Sequence, residues 1–127
     1  MSLLLKATSE AGLVFIIDGG GSAISTGEKG HLEVPFNCTV QQVSLLADQT
    51  GSIKVDIWRD TYSNYPPTNG DSICGNNEPE ITGGRKYRDG VLTGWTKALN
   101  TGDILAFRVD SCTTITRAVI SLKVVKR

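Results

Sequence analysis

The stretch that decides the fold spans residues 30–60 and reads GHLEVPFNCTVQQVSLLADQTGSIKVDIWRD. Its first and last parts alternate apolar and polar residues with a period of two, which is typical of half-buried β-strands. The apolar positions are Leu32, Val34 and Phe36 in the first part, and Ile53, Val55 and Ile57 in the last part. We therefore predict a β-strand at each end of the stretch.

The middle of the stretch also alternates, but its phase slips at Gln41-Gln42, where we predict a β-bulge. Asp48-Gln49-Thr50-Gly51 follows, and these residue types are typical of a tight turn. The stretch is thus expected to form three successive strands, which favours a β-sandwich.

Short apolar or alternating runs recur along the rest of the chain. They predict further strands over residues 13–17, 91–99, 104–110 and 115–125. No segment has the period of an amphipathic helix, and the total is about seven or eight strands. The predicted fold class is all-β, an antiparallel β-sandwich of jelly-roll type.

A length of 127 residues favours one domain with a substantial core. Residues 1–12 show no strand period and are predicted to form an N-terminal arm, whereas residues 13–127 form the sandwich domain. Within that domain, residues 61–89 are predicted to be a long irregular loop, because prolines and glycines interrupt any regular pattern.

The charge balance limits the classes of partner that the chain is expected to bind. Acidic and basic residues number 13 each, so no overall field attracts nucleic acid, and we expect no nucleic-acid partner. No apolar run approaches the roughly 18 residues that span a bilayer, and the first residues lack the basic segment of a secretion signal. We expect no membrane association and synthesis in the cytoplasm.

No set of residues in the sequence predicts an enzyme. His31 is the single histidine, and it lies on the polar face of a predicted strand without the signature of a nucleophile beside it. Glycine-rich residues 18–21 lack a phosphate-binding motif, and Asp71, Glu78 and Glu80 show no calcium-loop pattern. We therefore expect no catalytic residue, no cofactor and no metal.

The predicted loop contains residue types that binding surfaces favour. Its candidate binding residues are Tyr62, Tyr65, Arg85 and Tyr87. The alternative interpretation is a loop that its own aromatic residues attach to the sandwich.

The three cysteines fit no zinc-binding spacing. Cys38 lies on the apolar phase of a strand, which predicts a buried thiol. Cys74 lies in the predicted loop and Cys112 at a strand end, so both are expected outside the core and are candidates for inter-subunit disulfides. Three reduced thiols are the alternative.

Several longer segments of the chain resemble a family of phage proteins. They are residues 16–40 (IIDGGGSAISTGEKGHLEVPFNCTV), 44–68 (SLLADQTGSIKVDIWRDTYSNYPPT), 101–111 (TGDILAFRVDS) and 116–126 (TRAVISLKVVK). The chain is similar, over residues 14–126, to a small all-β domain of tailed bacteriophages that occurs as a separate virion protein or at the end of a tail protein. A cysteine at position 38 is common in that family, whereas cysteines at 74 and 112 are not typical.

This resemblance implies a structural protein of the virion, made in the host cytoplasm. With only a short arm before the domain and no fibre shaft, a capsid decoration or cement subunit is favoured, which would stabilise the particle through contacts with other virion proteins. Related virion proteins imply a homotrimer, and inter-subunit disulfides of Cys74 and Cys112 are expected outside the reducing cytosol.

The alternative function is a tail- or fibre-associated receptor-binding or carbohydrate-binding module. Its ligand would be a host-surface glycan. The aromatic residues that could stack on sugar rings are Trp58, Tyr62, Tyr65 and Trp95.

Overall fold

The computed structural model describes residues 9–127, which form seven β-strands and one 3-10 turn. The strands are β1 (Glu10–Asp18), β2 (Gly27–Glu33), β3 (Cys38–Asp60), β4 (Glu80–Asp89), β5 (Ala98–Leu99), β6 (Ile104–Thr113) and β7 (Arg117–Lys126). All of their pairings are antiparallel, in the order β1-β7-β3-β6-β2, with β4 and β5 also paired to β3. The predicted all-β antiparallel class is confirmed. The described residues contain no helix that is long and apolar enough to cross a membrane.

Strand β3 is 23 residues long and belongs to both halves of the sheet. Its first half pairs with β7 and its second half pairs with β6. Val43 and Ile53 each have a second partner in β4, so β4 follows one edge of β3 while β7 and β6 share the other edge. The sheet therefore has two halves, β1-β7-β3 and β3-β6-β2, that are joined through a single strand.

The two halves face each other as the layers of a sandwich. Phe15 of β1 stacks on Phe107 of β6, although these strands are not neighbours in the sheet. The inward positions of both layers are almost fully buried, including Leu45, Ile57 and Ile120. This packing accounts for the period-two pattern of the sequence, since only one face of each strand meets the core.

The predicted tight turn at residues 48–51 is wrong, because β3 continues through it without interruption. At Gly51 a Cβ atom would lie 2.2 Å from Thr114 Oγ1 and 2.4 Å from the carbonyl oxygen of Thr113. Glycine is needed here for close approach of the β6-β7 connection and not for a reversal of the chain. The predicted bulge is confirmed, since the register with β7 shifts between Val40 and Gln42.

The irregular loop is shorter than predicted, because β4 occupies the last third of residues 61–89. β4 has an exposed outer side, so its sequence lacks a clear apolar alternation, and backbone pairing with β3 defines it instead. The strand predicted over residues 91–99 is reduced to the two residues of β5. β1 begins at Glu10, inside the predicted arm, and the first eight residues of that arm lie outside the described residues.

Candidate functional site

One aromatic surface feature is a pocket of about 470 Å³, which we call the tyrosine pocket. Its lining residues are His31, Glu33, Tyr62, Tyr65 and Ile104. The register of β2 with β6 places His31 opposite Ala106 and Glu33 opposite Ile104, so both polar side chains reach the same outer face. The segment after β3 then brings the two tyrosines beside them.

A chain of contacts orients the pocket. Tyr65 Oη lies 3.3 Å from His31 Nδ1, and the two rings meet edge to face with centroids 4.9 Å apart. On its other side, His31 Nε2 lies 2.7 Å from the carboxylate of Glu28. Tyr65 is thus held in place by a half-buried histidine, whereas the Tyr62 side chain is 74% exposed.

This arrangement is suited to non-covalent binding. Two exposed tyrosine rings offer flat apolar surface, and the carboxylate of Glu33 offers hydrogen-bond acceptors beside them. Sugar rings present the complementary combination of an apolar face and hydroxyl groups. The sequence placed His31 and Glu33 on the same face of a strand, but it did not indicate that the tyrosines would join them.

The four predicted binding residues do not form one site. Tyr62 and Tyr65 meet in the tyrosine pocket, whereas Arg85 and Tyr87 lie on β4. Arg85 donates a hydrogen bond of 3.0 Å to the backbone oxygen of Asp48. Tyr87 packs against the core, and burial, followed by the charge of Asp89, raises the pKa of its phenol.

Neither tryptophan is available to stack on a ligand. Trp58 and Trp95 are only 7% and 8% exposed. Their indole nitrogens donate to the carboxylate of Asp56 at 3.0 Å and to the backbone oxygen of Asn77 at 2.8 Å. The expectation that either could serve as a sugar platform is therefore wrong.

A second feature is a group of three carboxylates, Asp56, Glu78 and Asp110, which we call the acidic cluster. Their oxygen atoms lie within 4.8 Å of one another. Asp56 is buried and accepts hydrogen bonds from Trp58 Nε1 and from Ser72 Oγ, the latter at 2.6 Å. The cluster forms because β3 and β6 are paired and the segment before β4 returns alongside β3, a relationship that the sequence does not reveal.

The pKa of Glu78 is raised to about 7, first by burial and then by the neighbouring carboxyls of Asp110 and Asp56, against the weaker effect of Lys54. Lys54 Nζ lies 3.8 Å from Glu78, and Arg108 pairs with Asp110. Oxygen ligands of this kind suit calcium or magnesium. Here, however, the cations of Lys54 and Arg108 already offset part of the negative charge.

The cysteines are placed differently from the prediction. Cys38 is buried, as expected, but Cys74 is also fully buried in the core, so its predicted position outside the core is wrong. The backbone of this segment pairs against β3, with Ile73 N donating to the oxygen of Ile57 at 2.9 Å. Cys112 is partly buried, with its sulfur 3.5 Å from the oxygen of Ile115.

All three thiols are free in the structure. Burial raises the pKa of each of them above the ordinary value, which lowers the fraction of reactive thiolate. A disulfide from Cys74 to another subunit would require the core to open.

Comparison with solved structures finds the fold in a phage capsid. The chain aligns with a chain of the capsid of Ralstonia phage GP4 at a TM-score of 0.53 and 13% identity, over 100% of this chain and 89% of that one. At this identity the likeness establishes a shared fold.

Two further structures are less similar. One is a serine protease of Aeromonas sobria, with a TM-score of 0.38 and 11% identity over 97% of this chain and 28% of that one. The other is the carbohydrate-binding module CBM36 in complex with calcium and xylotriose, with a TM-score of 0.30 and 14% identity over 89% and 70% of the chains. With TM-scores below 0.5, neither supports an inference about this chain. No family model and no curated protein matches the sequence.

Proposed function

We propose that this chain is a structural protein of a tailed-phage virion, and specifically a decoration or cement subunit on the capsid surface. The observation that carries the proposal is the likeness to the capsid chain of phage GP4, which extends over the whole of this chain and nearly all of that one. A correspondence of this extent covers the complete domain. This is expected if the β-sandwich itself makes the contacts within the particle.

The physical properties of the chain support a role in assembly. A sandwich with a well-buried core is a stiff body, and its outer surface carries large exposed apolar side chains, among them Ile16 and Leu46. We propose that the subunit is made in the host cytoplasm, contacts other virion proteins and acts without catalysis. In this proposal it functions as a homotrimer, so that several weak contacts add through their effective concentration.

The contacts in this proposal are non-covalent. Cys74 is buried and all three cysteines are free, so the expected inter-subunit disulfides do not form part of it. Apolar contacts and hydrogen bonds between subunits would stabilise the particle instead of disulfides.

Mass spectrometry of phage particles purified by density gradient, from lysates that contain the chain, tests this function. We expect many copies of the chain per particle, and labelling with a specific antibody is expected on the capsid. If the chain remains in the soluble fraction while complete particles form without it, the proposed function is wrong. Labelling at the tail tip would favour the second candidate.

The second candidate function is a receptor-facing module that binds a host-surface glycan. The tyrosine pocket favours it, because Tyr62 and Tyr65 present exposed rings beside the carboxylate of Glu33. We expect a glycan bound by the wild-type protein to lose about tenfold or more in affinity in Tyr62→Ala and Tyr65→Ala. Val91→Ala, at an exposed apolar position away from the pocket, is the matched control and should bind normally. A wild-type protein that binds no glycan in an array would exclude this candidate.

A further inference from the structure

The outer side of the layer formed by β1, β7 and the first half of β3 carries an apolar strip with a basic border. Ile16, Val119 and Leu46 lie side by side in three neighbouring strands. Ile16 is 61% exposed and Leu46 is 52% exposed, and Val14 beside them is 50% exposed. Isolated exposed apolar residues are ordinary, but a row across three strands indicates a contact surface.

Positive charge borders this strip. The register places Lys86 next to Leu46 and Arg88 next to Ser44, whereas Arg117 on β7 lies next to the acidic residue Asp18. Among the salt bridges of residues 9–127, none involves Lys86, Arg88 or Arg117. We call this surface the basic face and define it by Val14, Ile16, Leu46, Lys86, Arg88 and Val119. Its cations have no carboxylate partner within the described part of the chain.

The outer side of the other layer has the opposite charge. Glu33 lies next to Ile104 on β2 and β6, and Asp60 lies next to Ile104 on its other side. Two cations of this layer are paired within the chain, Lys54 with Glu78 and Arg108 with Asp110. We call this surface the acidic face and define it by Glu28, Glu33, Asp60, Tyr62 and Tyr65. It combines three carboxylates, of which that of Glu28 contacts His31, with two exposed aromatic rings.

We propose that the basic face binds the acidic face of a second copy of this chain. The complement that the basic face needs, apolar surface bordered by carboxylates, is present on the opposite side of the same sandwich. Lys86 and Arg88 beside the strip, and Glu33 and Asp60 on the other layer, give the two faces opposite local charge. Binding of two basic faces to each other would instead bring like charges together.

A contact of this type is heterologous, because each copy uses two different surfaces. Such contacts close into a ring or continue as an open array, depending on the rotation between copies. The inference deepens the proposed function and rests on it for the idea that the subunit works in several copies. It names the surfaces through which those copies meet.

The experiment is sedimentation velocity of the purified full chain over a range of concentrations, at low and at high ionic strength. Leu46→Glu alters the basic face and Glu33→Lys alters the acidic face, both at exposed positions without a side-chain hydrogen bond. Val91→Glu is the matched control, because Val91 is 71% exposed and belongs to neither face. Near-ultraviolet circular dichroism checks that each variant is folded.

We expect the wild type and Val91→Glu to self-associate, more strongly at low ionic strength. Leu46→Glu and Glu33→Lys should each associate about tenfold or more weakly when alone. An equimolar mixture of these two variants should form a one-to-one complex, because each retains the face that the other needs.

The inference is overturned if the wild type is monomeric at every concentration, or if the mixture of the two variants forms no complex. Equal self-association of Leu46→Glu, Val91→Glu and the wild type would also overturn it. These results concern the purified chain alone, so they are separate from the particle analysis that tests the proposed function. A chain that is present in virions but monomeric in solution would overturn the inference and leave that function standing.

Discussion

Phe15 of β1 and Phe107 of β6 stack with ring centroids 4.5 Å apart and planes inclined by only 10°. These strands lie in different halves of the sheet, so the stacked pair joins the two layers of the sandwich. Phe107 is fully buried, whereas Phe15 is partly buried near the margin of the core. The stability of variants at these two positions therefore tests whether the two layers pack against each other.

We expect Phe107→Ala to lower the free energy of unfolding by about 3–5 kcal/mol, because it removes a large buried side chain and leaves a cavity. Phe15→Ala should cost less, since part of that ring already contacts solvent. Chemical denaturation measures both. Val91→Ala is the control and should stay within about 0.5 kcal/mol of the wild type. Equal stabilities of Phe107→Ala and the control would contradict the sandwich packing.

Gly51 in β3 and Gly70 in the 3-10 turn form a matched pair that tests the close approach of the β6-β7 connection to β3. A Cβ atom at Gly51 would overlap Thr114 Oγ1 and the Thr113 oxygen, whereas one at Gly70 would meet nothing within 4 Å. We expect Gly51→Ala to lower the free energy of unfolding by about 1–3 kcal/mol, because the β6-β7 connection must move away. Gly70→Ala should have little effect. Equal free energies of unfolding for the two variants would show that the backbone at Gly51 does not lie close to the β6-β7 connection.

Glu78 makes the stability of the protein depend on pH. Its pKa is raised from 4.5 to about 7 in the folded state, so the folded protein holds a proton that the unfolded chain releases. The contribution of Glu78 to the free energy of unfolding is therefore greatest at and below about pH 4.5, and it is lost as the pH rises through about 7. At pH 8 we expect the free energy of unfolding of Glu78→Gln to exceed that of the wild type by about 1–3 kcal/mol.

Denaturation curves at several pH values between 5 and 8 check this expectation for Glu78. The difference between Glu78→Gln and the wild type should grow with pH. Glu80→Gln, at an exposed position two residues away, should follow the wild type at every pH. A constant difference across this range would show that Glu78 does not hold the proton.

The three cysteines should react in a fixed order. Cys112 is partly exposed, whereas Cys38 and Cys74 are fully buried and their burial raises the pKa of both thiols. Under native conditions we expect an alkylating reagent to modify Cys112 first and the other two only on unfolding. Mass spectrometry of peptides after timed labelling measures this order. Early labelling of Cys74 would mean that the segment beside β3 opens readily.

The acidic cluster is an example of a site that could not be predicted from the sequence. Asp56, Glu78 and Asp110 are far apart in sequence and stand in different kinds of segment. Each looks like an ordinary surface charge, since alternate polar positions are expected on strands. Only the pairing of β3 with β6, and the return of the chain beside β3, brings their oxygens within 4.8 Å. The tyrosine pocket required the same kind of long-range placement.

The sequence by itself determined the class of the fold, because a period of two in burial is a local property of each strand. It located β6, β7 and the bulge at Gln41-Gln42 from alternation, and β1 from a short continuous apolar run. The tertiary structure decided whether residues 48–51 turn back or continue, since close contact with the β6-β7 connection is made by residues more than 60 positions away. It also decided the burial of Cys74 and the strand β4, because each depends on which strands lie side by side.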